Sequence, residues 1–339
     1  MTSRLMFVGP SVCDIVAILP RLSEPSDIVF LDKGITISIG GHPINIAVDL
    51  VKLGYDPRRI FVVTAIGNDF CGVFIEKNLT DYGLQPMFYK LRDRGSTKNL
   101  ILVFEGEDRR FHLDIGSSPY LPLDYVVKTM ETVEPGLLHI SPGILGEVDS
   151  NMTMILRRAQ ERGAITFVDV GASRPLGKND WDFLVNALEY TDIFHCNSYE
   201  IKKIFGVDNI VEGIRKIVDK GVKIVTVTDG DKGAYVAKDG FILYQKSFKV
   251  KAVDPTGAGD AFQAGLIYSL ATELGHMDRD ALENIDINTL SRAVLYAQAT
   301  GAVCVTQPGA TTAVSKENVE KLLSEQSSEV LSSTTYIVA

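Results

Sequence analysis

Short apolar runs alternate with amphipathic stretches along most of this chain, and this alternation limits the fold more than any other feature. The apolar runs have the length and composition of buried strands and lie at residues 5–8, 60–64, 137–140, 165–168, 193–196 and 223–228. The stretches between them carry apolar residues at helical spacing, at residues 45–53, 152–162, 199–205 and 210–220. Strands that alternate with helices predict a parallel sheet covered on both faces, so we expect a doubly wound α/β fold.

Two segments break this rhythm. Residues 27–39 and residues 99–115 each contain alternating apolar and polar positions on both sides of a glycine-containing turn, a pattern that predicts a β-hairpin. Because both interrupt the α/β order, we expect lid segments near residues 27–40 and 95–115 to pair as a small β-sheet beside the body. The exposed edge of such a lid would suit a homodimer.

Composition limits the partners of the chain. Hydrophobic residues make up 45% and charged residues 23%, the balance of a globular protein with a large core. The 34 Lys and Arg against 43 Asp and Glu leave a net charge of −9, so we expect a small-molecule partner, with no nucleic acid and no membrane. Asp14 interrupts the apolar start, which therefore predicts a strand and not a signal peptide. Four separated cysteines suit a reducing, cytoplasmic location.

A loop of small residues leads directly into a helical stretch late in the chain. The sequence DPTGAGD runs from Asp254 to Asp260, and residues 261–270 that follow contain no charge. Small residues let a ligand approach the backbone, and the free amides at a helix start bind anions, so we expect a phosphate here. A carboxylate beside an anion site is repulsive unless it has a chemical role. Asp260 could act as general base toward a hydroxyl that attacks the phosphate.

Other interpretations of this loop remain. It could be a tight turn in which Asp260 only caps the helix. A dinucleotide fingerprint needs glycine where Phe262 stands, and a Walker A loop needs a Lys-Ser or Lys-Thr pair after the glycines, so neither fits.

These residues resemble the signatures of the ribokinase family, also called the PfkB carbohydrate kinases. Residues 254–267 are similar to its DTTGAGD-type signature, and GGHPINIA at residues 40–47 is similar to its GGxxxNxA signature. NSYE at residues 197–200 resembles its NxxE motif, and TDGDKG at residues 228–233 its TxGxxG motif. The resemblance covers roughly residues 5–320. It implies a ribokinase-like sandwich with a small β-sheet lid, as one kinase domain over residues 1–323. Residues 324–339 are Ser-rich, and we expect a C-terminal tail there.

The resemblance implies ATP-dependent phosphorylation of a hydroxyl on a sugar or sugar-like substrate. Asp260 would be the base, and the amides of Gly257, Ala258 and Gly259 would form the anion hole. The implied nucleotide-binding residues are Asn197, Glu200, Thr228, Gly230 and Gly233. Glu200 would arrange the waters of Mg²⁺, and the oxygens of Asp254 and Thr256 would hold a monovalent cation such as K⁺. Taken alone, Asn197 could instead be a helix N-cap, and Thr228 to Gly233 a plain turn.

The acceptor site is expected at Asp14, Gly40, Gly41 and Asn45. Asp14 is a carboxylate within an apolar run and therefore needs partners, such as sugar hydroxyls. The GGHPIN sequence departs from the family pattern at His42, so the motif does not identify the acceptor molecule. A nucleoside kinase of the same family and a non-catalytic sugar-binding regulatory protein are the alternatives. Arg174, near an element that some sugar-acid kinases use, could meet an acidic sugar or could be a solvated arginine.

Overall fold

A ten-stranded sheet forms the body of the computed structural model, which describes residues 3–104, 107, 109–171 and 181–338. Its spatial order is β14-β13-β12-β11-β10-β9-β8-β1-β4-β5. The strands are β1 (Leu5–Val8), β4 (Ile60–Gly67), β5 (Gln85–Leu91), β8 (Leu137–Ile140), β9 (Ile165–Asp169), β10 (Ile193–Asn197), β11 (Ile224–Thr228), β12 (Gly233–Lys238), β13 (Phe241–Lys246) and β14 (Thr335–Val338). The seven neighbouring strands β11, β10, β9, β8, β1, β4 and β5 run parallel to one another. Strands β12, β13 and β14 extend the sheet beyond β11 in antiparallel order. The predicted parallel sheet is confirmed.

Helices cover both faces of this sheet. They are α1 (His42–Leu53), α2 (Phe70–Asp81), α3 (Leu123–Val133), α4 (Glu147–Ser150), α5 (Met152–Glu161), α6 (Asp182–Ala187), α7 (Ser198–Phe205), α8 (Ile210–Val218), α9 (Ala258–Leu274), α10 (Arg279–Glu283), α11 (Ile287–Cys304) and α12 (Lys316–Ser332). Alternate residues of β1 point to opposite faces of the sheet and pack into two different hydrophobic cores. Leu5 and Phe7 pack with α1, α9 and α11, whereas Met6 and Val8 pack with α3, α5 and α8. The fold is therefore doubly wound, as predicted.

A separate four-stranded sheet lies beside the body, in the order β3-β2-β6-β7. Its strands are β2 (Val12–Leu19), β3 (Ile35–Gly40), β6 (Thr97–Phe104) and β7 (Arg110–Asp114). The predicted hairpin at residues 99–115 is confirmed, since β6 and β7 pair antiparallel.

The predicted hairpin at residues 27–39 is wrong in its first half. Residues 27–34 form no strand and are largely exposed, whereas β3 pairs antiparallel with β2, which lies earlier in the chain. The alternating Ile35, Ile37 and Ile39 are a strand pattern, and an apolar run, residues 28–31, also precedes the turn. That run is not buried, since Ile28 is 73% and Phe30 is 84% exposed. Asp14 consequently lies within a strand of the small sheet, not in a loop after β1.

The expected tail at residues 324–339 is also wrong. Helix α12 continues to Ser332, and Val319, Leu322 and Val330 at helical spacing bury it against the core. Strand β14 then pairs antiparallel with β13 at the edge of the main sheet. The many serines in this segment lie mainly on the exposed part of the helix, and they concealed its periodicity.

None of the helices in the described ranges combines the length and the apolar character that a bilayer crossing requires.

Candidate functional site

The carboxyl ends of three neighbouring parallel strands meet the start of helix α9. Strands β9, β10 and β11 end at Asp169, Asn197 and Thr228, and β9 and β11 both pair with β10. Open α/β sheets bind ligands at this edge, because the loops after the strands and the helix starts face the same crevice. The predicted phosphate loop, the predicted nucleotide residues and the buried Asp169 all belong to this edge.

The loop before α9 adopts a conformation that glycine makes accessible. Gly257 has a φ of 79°, and a Cβ at this position would lie 2.4 Å from the carbonyl oxygen of Ala310. Among the described residues, no side chain caps the first amides of α9. The amide of Ala258 donates a long hydrogen bond of 3.3 Å to the carbonyl oxygen of Pro255. The start of α9 is the positive end of a 17-residue helix, where an anion would be favoured.

Asp260 lies in the first turn of α9 and is only 6% exposed. Its Oδ2 accepts a hydrogen bond of 2.8 Å from Nδ2 of Asn45, in the first turn of α1. Its Oδ1 lies 2.8 Å from Nδ1 of His42. Both carboxylate oxygens are thus held by groups from α1, which fixes the orientation of the expected base.

The expected acceptor residues form a second group beside Asp260. Asp14 on β2 accepts a hydrogen bond of 3.0 Å from Nδ2 of Asn99, its register partner on β6. Burial raises the pKa of Asp14 to about 6, and the hydrogen bond from Asn99 acts in the opposite direction. A Cβ on Gly40 would lie 2.1 Å from Oδ2 of Asp14, so glycine leaves the space for this carboxylate. Gly41 then leads directly into His42 and Asn45.

A cavity of about 360 Å³ opens on the other side of the α9 start. Thr228, Gly230 and Gly233 line it together with Ala258 and Gly259 of the phosphate loop. Its remaining walls are largely apolar, and its size is that of a small-molecule site. The structure therefore brings the predicted TxGxxG residues and the predicted anion hole to one cavity.

Asn197 and Glu200 form the N-terminal cap of α7. Oδ1 of Asn197 accepts the amides of Tyr199 and Glu200 at 2.9 Å each, and Oε2 of Glu200 accepts the amide of Asn197 at 2.8 Å. This reciprocal pair is a capping box, so the capping interpretation of Asn197 is confirmed. Burial raises the pKa of Glu200, as does the nearby charge of Asp169. The cap fixes the position of the Glu200 side chain, and a role of Glu200 toward Mg²⁺ stays a prediction.

Asp254 and Thr256 hold the loop on the far side of Gly257. Oδ1 of Asp254 accepts hydrogen bonds from the amide (2.9 Å) and hydroxyl (2.6 Å) of Thr256, and Oδ2 accepts from the amide of Gly309 at 3.0 Å. Nη1 of Arg109, just before β7, donates to the same Oδ1 at 2.6 Å. Partial burial opposes the charge of Asp254, but these hydrogen bonds and the Arg109 charge lower its pKa. A positive group therefore already lies at the expected cation position.

Three functional candidates were not predicted from the sequence as site residues: His42, Asp169 and His195. Nδ1 of His42 lies 3.0 Å from Oδ2 of Asp169, and Nδ1 of His195 lies 2.8 Å from Oδ1 of the same carboxylate. His42 was visible in the sequence as a departure within GGHPIN, and Asp169 as a carboxylate at a strand end. One atom each from His42, Asp169 and Asp260 fall within 4.8 Å of one another, a spacing compatible with either a proton or a metal ion. Arg174 lies outside the described residues.

Comparison with known proteins agrees with this geometry. An ATP-dependent 6-phosphofructokinase of Thermoanaerobacterium thermosaccharolyticum is 23% identical over 243 residues, 68% of this chain and 72% of that protein. A ribokinase of Haemophilus influenzae is 23% identical over 323 residues, 93% of this chain and 96% of that protein. A fructokinase of Klebsiella pneumoniae is 28% identical over 293 residues, 84% of this chain and 91% of that protein.

Solved structures share the fold over nearly the whole chain. The ribokinase of Giardia lamblia has a TM-score of 0.82 at 21% identity, covering 96% of this chain and 100% of its own. A fructokinase of Vibrio cholerae O395, solved with fructose, ADP and a potassium ion, has a TM-score of 0.75 at 23% identity, with coverage of 95% and 98%. An E. coli protein solved with ATP and Mg²⁺ has a TM-score of 0.74 at 21% identity, with coverage of 96% and 100%.

The family model described as pfkB family carbohydrate kinase matches residues 2–317. This range includes the phosphate loop, the residues that line the cavity and the acceptor group described above. This match spans most of the chain. The chain therefore belongs to the pfkB family of carbohydrate kinases.

Proposed function

We propose that this protein transfers the γ-phosphoryl group of ATP to a hydroxyl of a sugar or sugar-like acceptor, with Asp260 as general base. One observation carries the proposal: Asp260 is a buried, oriented carboxylate in the first turn of α9, between the nucleotide-sized cavity and the group that contains Asp14. A base in this position can reach an acceptor hydroxyl while the amides at the helix start hold the phosphate.

The proposed step has a simple balance. Asp260 takes the proton of the acceptor hydroxyl, the acceptor oxygen forms a bond to the γ-phosphorus, and the bond to the β,γ-bridging oxygen breaks to release ADP. The amides of Gly257, Ala258 and Gly259 stabilise the charge that develops on the transferred group. Thr228, Gly230 and Gly233 line the cavity where we place the rest of the nucleotide.

The cofactor proposal is Mg²⁺ bound with ATP. Mg²⁺ would neutralise phosphate charge, and Glu200 fits a role toward its waters because it is a partly buried carboxylate in the first turn of α7, close to Asp169. Asn197 fixes this side chain through the capping box. The E. coli relative solved with ATP and Mg²⁺ supports this assignment by similarity of fold.

The proposal also includes activation by K⁺ near Asp254 and Thr256. The potassium ion in the Vibrio cholerae fructokinase supports it. We expect a higher kcat in KCl than in choline chloride at equal ionic strength, because a cation would hold the loop between Gly257 and Gly309. Equal rates in the two salts would mean that Arg109, which already contacts Asp254, supplies the needed charge by itself.

We place the acceptor against Asp14, Gly40, Gly41 and Asn45. The Asp14→Asn variant is expected to raise the acceptor KM roughly tenfold or more, since a carboxylate contact to hydroxyls contributes about 1.5–3 kcal/mol. The KM for ATP should change little. Asp124→Asn, which changes an exposed carboxylate on α3, is the matched control. A normal acceptor KM in the folded Asp14 variant would make Asp14 a structural residue.

The pH dependence gives Asp14 a second readout. Its pKa is raised to about 6, so the carboxylate is ionised above that pH and protonated below it. The acceptor kcat/KM of the wild-type protein should fall as the pH drops through about 6, and Asp14→Asn should remove this part of the profile.

A panel of acceptors tests the proposed function. Neutral hexoses and pentoses, sugar phosphates, sugar acids, polyols and nucleosides are each assayed for acceptor-dependent ADP release. We expect release with at least one sugar or sugar phosphate. Release confined to nucleosides would support the nucleoside kinase alternative, and no acceptor-dependent release with any class would support a binding protein.

The partner proposal is a second copy of this chain that pairs through the small sheet. Ile35 on β3 is 61% exposed and Leu100 on β6 is 42% exposed, an apolar surface that a second copy would cover. A monomeric mass in sedimentation equilibrium would exclude this pairing.

A further inference from the structure

His42 lies between two buried carboxylates from different parts of the fold. Its Nδ1 is 2.8 Å from Oδ1 of Asp260 on α9 and 3.0 Å from Oδ2 of Asp169 at the end of β9. The side chain of Asp169 is 3% exposed and that of Asp260 is 8% exposed, whereas a third of the His42 side chain is exposed. One ring nitrogen therefore joins the expected base to a carboxylate that is anchored in the main sheet.

A second imidazole fixes Asp169 from the other side. Nδ1 of His195 on β10 lies 2.8 Å from Oδ1 of Asp169. The His195 ring stacks on Phe262 of α9, with ring centroids 5.5 Å apart, and its Cε1 would lie 3.6 Å from a Cβ placed on Gly259. The contacts thus run from beneath the anion loop, through His195, Asp169 and His42, to the carboxylate of Asp260.

The chemistry of these groups requires a proton on Nδ1 of His42. Ionised carboxylates only accept hydrogen bonds, so a lone pair on Nδ1 facing two of them would be repulsive. Within the described residues, the contacts of Nδ1 with Asp169 and with Asp260 both lack the geometry of a regular hydrogen bond. The geometry therefore does not assign the proton to one of the two carboxylates alone. Both contacts have hydrogen-bond lengths, so a shared proton accounts for the arrangement without a metal ion.

Other charged and titratable groups around His42 agree with this assignment. Burial lowers the pKa of His139 on β8 to about 4, so His139 stays neutral and adds no competing charge. Burial raises the pKa of Glu200 on α7 and raises that of Asp49 on α1 well above its usual value, which favours their neutral forms. Burial opposes the positive charge of His42, but Asp260 and Asp169 together raise its pKa well above the usual value.

We propose that His42, as an imidazolium, is a positioning residue that ties Asp260 to the fixed carboxylate of Asp169 and so orients the base toward the acceptor hydroxyl. The proposal rests on the role of Asp260 in the proposed function. His42 holds Oδ1 and Asn45 holds Oδ2, so the carboxylate cannot turn without breaking a charged contact. A displacement of about 1 Å in such a group costs on the order of 10²-fold in rate.

Two variants of His42 separate its charge from its shape. His42→Ala removes both contacts and should lower kcat about 10²-fold, with a smaller change in the acceptor KM. His42→Asn places an amide N–H near the position of Nδ1 without a titratable charge, and should restore part of the lost kcat. His276→Asn is the matched control and should retain the wild-type rate, because His276 is exposed and lies just beyond the C-terminal end of α9, whereas Asp260 lies in its first turn.

The pH profile distinguishes a positioning role from a structural one. The imidazolium is present below the raised pKa of His42 and is lost above it, so wild-type kcat should fall on the alkaline side. His42→Asn should lack this alkaline fall. Asp169→Asn removes one of the charges that stabilise the imidazolium and should move the fall to lower pH. An unchanged alkaline fall in His42→Asn would overturn the proposal.

An NMR measurement tests His42 without any turnover. The chain has five histidines, and the ¹⁵N ring signals absent from His42→Asn identify those of His42. We expect imidazolium shifts at pH 7 in the wild-type protein. Neutral imidazole shifts, or stoichiometric Zn²⁺ binding that His42→Asn abolishes, would overturn the proposal. Absence of phosphotransfer from wild-type protein would instead reject the proposed function, because the NMR result does not depend on it.

Discussion

Replacing Asp260 with asparagine is expected to lower kcat by about 10² to 10⁴, the usual contribution of a positioned general base. The change removes the group that takes the hydroxyl proton but keeps nearly the same shape in a site that is only 6% exposed. Asn45 and His42 retain neighbours of similar size. The KM for ATP should remain close to that of the wild-type protein, because the nucleotide cavity lies on the other side of the helix start.

Steady-state kinetics with saturating acceptor and ATP measure this effect. Asp280→Asn is the matched control, since Asp280 is an exposed aspartate in the first turn of another helix, α10. An Asp260→Asn protein that is folded, binds ATP and turns over near the wild-type rate would show that another group accepts the proton.

Replacing Gly257 with alanine is expected to lower kcat by about 10² to 10³, the loss associated with one misplaced donor of an anion hole. A Cβ at this position would lie 2.4 Å from the carbonyl oxygen of Ala310 and 2.7 Å from its Cα, so either the phosphate loop or the loop around Ala310 must move. The positive φ of 79° adds strain for any residue with a side chain. Both effects displace the amides that we assign to the transferred phosphate.

Gly275→Ala separates strain from displacement. Gly275 follows the other end of α9, has a φ of 68° and has open space around the position of a Cβ. Both variants should lose stability from backbone strain, measured by thermal unfolding, and Gly257→Ala should lose more because of the contact with Ala310. Only Gly257→Ala should lose the rate. Equal kcat values in the two variants would show that the anion hole does not lie in the loop at Gly257.

The sheet and the phosphate loop were predictable because their signals are local. Six apolar runs marked six of the seven parallel strands, all except β5, and the small residues before α9 marked a candidate anion site within a few positions of the chain. Pairing between distant segments carries no such local signal. The partner of β3 proved to be β2, and β14 closes an edge more than 80 residues from its partner β13 in sequence.

The same limit applies within the site. Asp260 and Asn45 were predicted separately, yet their hydrogen bond depends on how α1 packs against α9. His42 drew attention only as an unusual residue between Gly41 and Pro43. Its contacts with Asp169 and Asp260 arise where α1, β9 and α9 converge, and no spacing in the sequence specifies that convergence.

Transfer of labelled phosphate shows whether this protein moves the γ-phosphoryl group of ATP to an acceptor with Asp260 as the base. The protein is incubated with [γ-³²P]ATP and the acceptor selected from the panel, and the label is followed into the acceptor, ADP production being measured in parallel. We predict one labelled acceptor phosphate ester for each ADP formed by the wild-type protein, and at least about 10²-fold slower labelling by Asp260→Asn. Label that appears only as inorganic phosphate, or equal labelling by the two proteins, would contradict the account.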